Sequence, residues 1–246
     1  MILLVFILGL FIGSFLNVCI YRIPVGKSIV FPPSSCGSCD HRLNFIDMIP
    51  FVGYFIFRGK CRYCKASYSI QYPMIELLNG VIYALLFYRY GFSLLTVLYG
   101  IISSLLIVIS MIDLKTQTIP DGLNIFGVII TVILGIYLFR GNYLTHLFGF
   151  LFGFLLFLVI AMITNAMGGG DIKLMGVLGL LFGLTGIVFV TMMSFIYGAI
   201  ISIMLIATKK ATRKDYIPFG PFIAIAALTY MLYGNELLSI YFNIFL

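Results

Sequence analysis

The sequence predicts an all-α polytopic membrane protein of about eight transmembrane helices with one small cytosolic loop domain. Of its 246 residues, 62% are hydrophobic and only 9% are charged, whereas soluble domains carry about 25% charged residues. Apolar runs follow one another along the whole chain, and about 20 apolar residues suffice to cross roughly 30 Å of hydrocarbon. This composition excludes an ordinary soluble protein.

The apolar runs define seven predicted stretches, of which the sixth is ambiguous. Its 34 residues, 174–207, are too many for one crossing and few for two, but Gly183, Thr185 and Gly186 favour a hairpin near its middle. With this hairpin the chain has eight helices, and the basic residues before and after the stretch lie on the same side of the membrane. The predicted stretches are 1–20, 74–87, 94–112, 123–139, 144–164, 174–207 and 219–240.

The net charge of +7 reflects how the basic residues are distributed between the two membrane faces. If the chain starts outside, two basic residues, Arg89 and Arg140, face outward. The other thirteen face the cytosol, as the positive-inside bias of membrane loops requires: Arg22, Lys27, Arg42, Arg58, Lys60, Arg62, Lys65, Lys115, Lys173, Lys209, Lys210, Arg213 and Lys214. The first apolar run lacks a preceding basic region, so it is predicted to be a retained helix with its N-terminus outside. A nucleic-acid partner is not expected.

Three segments are predicted: a first transmembrane helix over 1–21, a cytosolic loop over 22–72 and a transmembrane domain over 73–246. The loop contains two Cys-x2-Cys pairs separated by 21 residues, a spacing typical of a structural zinc site. Disulfides are the alternative, but a cytosolic loop lies in a reducing compartment. Cys19 is predicted to be a packing residue and His41 a solvated one. The predicted zinc ligands are Cys36, Cys39, Cys61 and Cys64.

Asp113 and Asp171 stand at the predicted cytosolic ends of apolar helices. An acid near the membrane is costly to insert, which makes it a functional candidate. Two neighbouring carboxyl groups that share one proton can serve as general base and general acid in peptide hydrolysis. The structural alternative makes Asp171 a helix N-cap after a glycine break and pairs Asp113 with Lys115. Glu76, which enters an apolar helix, is kept as a further candidate.

The chain also resembles the type IV prepilin peptidases, the leader peptidase/N-methyltransferases that belong with the GxGD-type intramembrane aspartic proteases. The resemblance covers nearly the whole chain and rests on several motifs in order. They are GLFIGSFLNVCIYRIP, the two Cys-x2-Cys pairs, SIQYPMIELLNG, IDLKTQTIPD, GGGDIKLMG and IPFGPFIA.

The resemblance implies roles for individual residues. Asp113 and Asp171 would be the catalytic aspartates and Gly168 and Gly170 the GxGD glycines, with Lys173 as a supporting or substrate-binding residue. The resemblance further implies a bacterial inner-membrane enzyme that cleaves the basic leaders of prepilins or pseudopilins on the cytosolic side. It also implies N-methylation of the new N-terminus from S-adenosylmethionine, with the loop 22–72 as the methyltransferase segment. Membrane lipids are expected as further partners of the basic cytosolic face.

Two other functions compete with this prediction. A proton-coupled transporter would use the same acids as a relay and needs inverted halves, which the sequence does not show. A scaffold would dock a secretion component on the zinc loop, and its aspartates would only cap helices.

Overall fold

The computed structural model describes residues 1–44, 47–164, 167–210, 212, 215 and 217–245, with side chains left out at 241, 242, 244 and 245. The described residues form helices joined by turns, and the predicted all-α class is confirmed. The chain divides into two compact units, Met1–Thr96 and Val97–Leu246, each considered separately below. Arg213 and Lys214 of the predicted cytosolic face lie outside the described residues.

The helices are numbered in chain order. They are α1 (Ile2–Arg22), α2 (Val52–Ile56), α3 (Gln71–Tyr90), α4 (Leu94–Thr116), α5 (Asp121–Leu138), α6 (Tyr143–Thr164), α7 (Gly169–Ala207) and α8 (Gly220–Phe245). Six of them, α1 and α4 to α8, are long and apolar enough to cross a membrane. The chain is therefore a multi-pass membrane protein, while the number of crossings and the outside N-terminus stay predictions.

The 39-residue helix α7 reverses direction at Gly183, which has φ 70° and ψ −175°. A methyl group added at Gly153 of α6 would touch both the Met175 carbonyl oxygen and Ile187 Cγ1. These two residues are twelve positions apart, about 18 Å along a straight helix. The two arms of α7 must therefore fold back beside α6. The turn falls at Gly183 because glycine adopts positive φ without a steric penalty, whereas Thr185 and Gly186 are helical.

Two helices extend beyond their predicted apolar limits. Helix α4 continues past Ile112 to Thr116, and α7 begins at Gly169 rather than at Leu174. The apolar pattern marks where hydrocarbon contact ends, but backbone hydrogen bonds carry a helix into the interface. As a result Asp113 lies in the last turns of α4 and Asp171 in the first turn of α7.

In the first unit, α1 packs closely on α3. Cβ atoms at Gly9 and Gly13 would lie 2.8 Å from Gly80 Cα and 2.7 Å from Glu76 Cα, so only glycines allow this approach, as in other membrane helix pairs. The buried side chain of Asn79 donates to the Gly9 carbonyl at 2.8 Å. This close packing sets the position of Glu76 relative to α1.

The contact between α6 and the α7 turn gives a stability prediction. A Cβ at Gly149 would lie 2.6 Å from the Gly183 carbonyl carbon, so Gly149→Ala should force the backbones apart and destabilise the protein by about 1–3 kcal/mol. The matched control is Gly122→Ala, because nothing lies within 4 Å of that position. Thermal unfolding in detergent should show a lower midpoint for Gly149→Ala only. Equal midpoints would contradict the packing.

Candidate active site and metal centre

Asp113 is buried, with 3% of its surface exposed. Its Oδ2 accepts a hydrogen bond from the backbone N–H of Gly220 at 2.9 Å. Gly220 is the first residue of α8, so the carboxylate lies at the positive end of a helix dipole. A Cβ at position 220 would stand 2.7 Å from this oxygen, which leaves room for glycine alone.

Asp171 is buried to a similar degree, with 4% exposed, and it also lies at a helix N-terminus. Its Oδ2 accepts from the Gly168 N–H at 3.3 Å, and its own N–H donates to the Gly168 carbonyl at 3.1 Å. Its Oδ1 has no hydrogen-bond partner among the described residues. A buried carboxylate oxygen normally finds a donor, so this oxygen is available to a water or a substrate group.

The three glycines before Asp171 have different surroundings. A Cβ at Gly170 would stand 2.6 Å from Ile119 Cβ, in the loop that joins α4 to α5. In contrast, among the described residues a Cβ at Gly169 would meet nothing within 4 Å, and one at Gly168 would meet Asp171 Oδ2 and the Gly170 nitrogen. Gly170 therefore allows the α4–α5 loop to approach, while Gly168 and Gly169 leave open space beside the carboxylate.

Both aspartates belong to the second unit, and the charge of Asp113 acts on the Asp171 carboxyl group. The ends that bear them, of α4 and α7, are joined through the Ile119–Gly170 contact. The N-cap of α7 is Gly168, with Asp171 at the third helical position. Asp171 therefore caps α7 from the third helical position and not as the N-cap residue that the structural alternative predicted, and the catalytic roles of both aspartates stay a prediction.

Lys173, the predicted supporting residue, forms an ion pair with Asp121 at 2.7 Å. Both side chains are about half exposed or more, at 48% and 64%, so the pair contributes little to stability, about 0–1 kcal/mol. It joins the first residue of α5 to the second turn of α7. The substrate-binding role of Lys173 is still a prediction.

Three residues of this site, Gly220, Ile119 and Asn124, were not predicted as site residues. The buried amide of Asn124 donates to the Gly170 carbonyl at 3.3 Å and so holds the glycine segment to α5. An asparagine in an apolar helix is a usable signal, because its amide needs a partner in the membrane. Gly220, followed by Pro221, carries the weaker signal of a helix start.

The first unit contains the predicted metal site. The Sγ atoms of Cys36, Cys39, Cys61 and Cys64 all lie within 4.8 Å of one another. Cys36 Sγ and Cys64 Sγ are 3.8 Å apart, close to the ~3.8 Å that tetrahedral zinc with ~2.3 Å Zn–S bonds requires. All four are free thiols. The disulfide alternative is not found, and the cluster can hold a metal ion.

The two Cys-x2-Cys pairs form matching knuckles. Cys36 N–H donates to the His41 carbonyl at 3.0 Å, and Cys61 N–H donates to the Ala66 carbonyl at 2.8 Å. Backbone N–H groups of Ser38 and Cys39 lower the pKa of the Cys36 thiol to about 7. A lowered pKa favours the thiolate, the form that binds metal. His41 is exposed and makes a tilted ring contact with Tyr63, with centroids 3.6 Å apart, outside the cluster.

Glu76 is the third buried acid, with 7% of its surface exposed. Its Oε2 accepts from the Phe51 N–H at 2.6 Å. Phe51 is the N-cap residue of α2 and has φ 60°, a conformation that non-glycine residues rarely adopt. Glu76 also lines a cavity of 530 Å³ within the first unit.

Comparison with known proteins gives matches over both units. The family model "Bacterial Peptidase A24 N-terminal domain" matches residues 7–90, and that of the "Type IV leader peptidase family" matches residues 100–203. No solved structure matches the chain.

Curated relatives align over nearly the full length. The prepilin leader peptidase/N-methyltransferase of Bacillus subtilis is 32% identical over 97% of this chain and 96% of its own. That of Stutzerimonas stutzeri is 29% identical over 96% and 91%, and that of Neisseria gonorrhoeae is 30% identical over 89% and 86%. With these matches and a buried aspartate pair at the helix ends, the chain belongs to the type IV leader peptidase family, a family of aspartic proteases.

Proposed function

We propose that this protein cleaves the N-terminal leader of type IV prepilin-like proteins and N-methylates the new N-terminus. The observation that carries the peptidase activity is the pair of buried aspartates at the ends of α4 and α7, with an unpartnered oxygen on Asp171. The full-length similarity to prepilin leader peptidase/N-methyltransferases supports both activities. The transporter alternative has no support from these relatives.

The proposed cleavage follows aspartic protease chemistry. Asp113 and Asp171 hold one proton between them, because two adjacent carboxylates repel each other. The ionised carboxylate takes a proton from a water molecule, and the protonated one polarises the scissile carbonyl; the roles exchange when the tetrahedral intermediate collapses. The Gly220 and Gly168 N–H groups orient the two carboxyl groups throughout.

The surroundings of Asp171 suit an extended substrate. The described residues leave open space beside Gly168 and Gly169, and the lack of side chains at these glycines would let a peptide backbone pass close to the carboxylate. We propose that the residues after the leader lie here and that Lys173 contributes to positioning. The predicted cytosolic position of this site, contact with lipid headgroups and recognition of basic leaders belong to the same proposal.

We propose that the four cysteines hold a structural zinc ion. Four thiolates fill a tetrahedral shell and leave no open position for catalysis. The ion would stabilise a loop with few helical residues of its own, since a structural zinc contributes about 10–16 kcal/mol to small folds. S-adenosylmethionine, the methyl donor implied by the family, would bind in this first unit.

The aspartate pair gives the first test of function. Asp113→Asn and Asp171→Asn should each reduce leader cleavage by at least about 10³-fold, because each removes a group that must gain or lose a proton. Asp40→Asn, at an exposed residue of the first unit, is the control and should cleave normally. Mass spectrometry of a prepilin substrate measures the products. Full cleavage by both single variants would refute the mechanism.

Gly220 gives a second test, of positioning. Gly220→Ala would place a Cβ 2.7 Å from Asp113 Oδ2 and should displace this carboxylate. We expect kcat to fall about tenfold or more with little change in KM, since the substrate contacts are untouched. Gly122→Ala is the matched control. An unchanged kcat would show that the Gly220 N–H does not orient Asp113.

Metal analysis gives a third test. Purified protein should contain one zinc per chain, and Cys36→Ser should lose it, because three thiolates bind zinc far less tightly than four. Cys19→Ser is the matched control, since Cys19 is buried in α1 and outside the cluster. Equal zinc content in both variants would argue against the site.

A further inference from the structure

The first unit contains a cavity that the peptidase chemistry does not use. Its volume is 530 Å³, within the range of about 300–1,000 Å³ that is typical of small-molecule sites. Its lining comes from α1, from α3 and from the loop between them, including the zinc-cluster residues Cys36 and Cys61. Membrane helices and cysteine knuckles therefore shape one pocket together.

Four tyrosines form a continuous aromatic group in the lining. The rings of Tyr21 and Tyr72 are stacked with centroids 5.5 Å apart, Tyr72 and Tyr68 meet edge to face at 6.3 Å, and Tyr68 and Tyr54 do so at 5.4 Å. Burial raises the pKa of the Tyr68 phenol, so this ring stays neutral at physiological pH. Neutral aromatic walls of this kind attract cations, above all methylated onium groups.

The same lining presents hydrogen-bond acceptors that lack donors. The Asn17 amide nitrogen donates to the carbonyls of Gly13 at 3.3 Å and Tyr72 at 3.1 Å. These contacts fix the orientation of the amide, and Asn17 Oδ1 is left buried without a partner, although Asn17 is only 2% exposed. Asp47 Oδ1 is likewise buried and, like Asn17 Oδ1, has no partner among the described residues. Such oxygens suit a ligand rich in N–H groups and positive charge.

Glu76 adds a buried carboxyl group to this lining. It accepts the N–H of Phe51, whose backbone is held at φ 60°. Local backbone strain of this kind is often maintained at binding sites. Among the described residues no salt bridge to Glu76 is found, so its carboxyl group can accept hydrogen bonds from a bound ligand. Arg22 and Arg62, also in the lining, can meet a ligand carboxylate.

We propose that this cavity binds the sulfonium methyl donor, with the Tyr54, Tyr68 and Tyr72 rings around the onium group and Glu76, Asn17 and Asp47 as acceptors for its ammonium and amino groups. The inference rests on the proposed N-methylation and deepens it by assigning residues. The donor supplies the methyl group; these side chains bind and orient it. The methyltransferase site then includes α1 and α3 residues outside the loop 22–72.

The test is calorimetric titration of the full-length protein in detergent with S-adenosylmethionine. Glu76→Gln and Tyr68→Leu should each weaken binding about tenfold or more, since one replaces a carboxyl acceptor in the lining and the other removes a cage wall. Tyr68→Phe keeps the ring and should bind nearly as wild type. Tyr88→Leu is the matched control, because Tyr88 lies on α3 with 78% exposure and outside the lining. S-adenosylhomocysteine, which lacks the positive charge of the sulfonium group, should bind about tenfold more weakly.

Ultraviolet cross-linking of donor carrying a labelled methyl group provides a second readout that does not depend on a folded variant. The label should map to peptides that contain Tyr54, Tyr68 or Tyr72. Zinc content and thermal unfolding of each variant establish that the first unit is intact. Leader cleavage should persist in all four variants, because none of them touches the aspartate pair.

The outcomes separate this inference from the proposed function. If wild-type protein methylates its product but Glu76→Gln and Tyr68→Leu bind the donor normally, or the label maps elsewhere, the site is overturned and N-methylation stands. If wild-type protein neither binds the donor nor methylates the product, N-methylation itself fails. Equal affinity for the neutral thioether would overturn recognition by the tyrosine cage.

Discussion

Every buried carboxylate described above is held by a backbone N–H group from the start of a helix. Asp113 accepts from Gly220 at the first residue of α8, Asp171 from Gly168 at the N-cap of α7, and Glu76 from Phe51 at the N-cap of α2. A bilayer offers no water to solvate a carboxylate, and the first N–H groups of a helix have no partner within the helix itself. The N–H groups at a helix start therefore give the buried carboxylates the hydrogen bonds that water would provide, and the carboxylates give these N–H groups an acceptor.

Glycines make these arrangements possible by letting backbones come close. Gly220 lets the start of α8 reach Asp113, Gly170 admits Ile119, and Gly13 lets α1 pack against the backbone of Glu76. Close packing of helices replaces the hydrophobic effect as the main source of stability inside a membrane. The same glycines that stabilise each unit therefore also set the position of its acids.

The two units present different chemistry. The second unit has two buried acids and open space for an extended peptide, which fits hydrolysis of an amide bond. The first has a tyrosine-walled cavity beside a four-cysteine cluster, which fits binding of a compact cation. A structural metal suits the first unit because the described part of its loop forms little regular structure, a 3₁₀ turn at Ile23–Val25 and the short helix α2, and a small segment seldom buries enough apolar surface to fold alone.

Sequence alone determined the membrane class, the cysteine cluster and the two candidate aspartates, because composition, ligand spacing and an acid in an apolar run are local properties of the chain. It also pointed to a turn in 174–207, since glycine is readily recognised as a helix breaker. Tertiary structure alone decided which backbone groups hold the acids: Gly220 lies 107 residues from Asp113, and Phe51 reaches Glu76 from across a loop. Tertiary structure alone also brings four tyrosines, from α1, α3 and the loop, into the lining of one cavity. Such pairings depend on helix packing, for which the one-dimensional pattern has no signal.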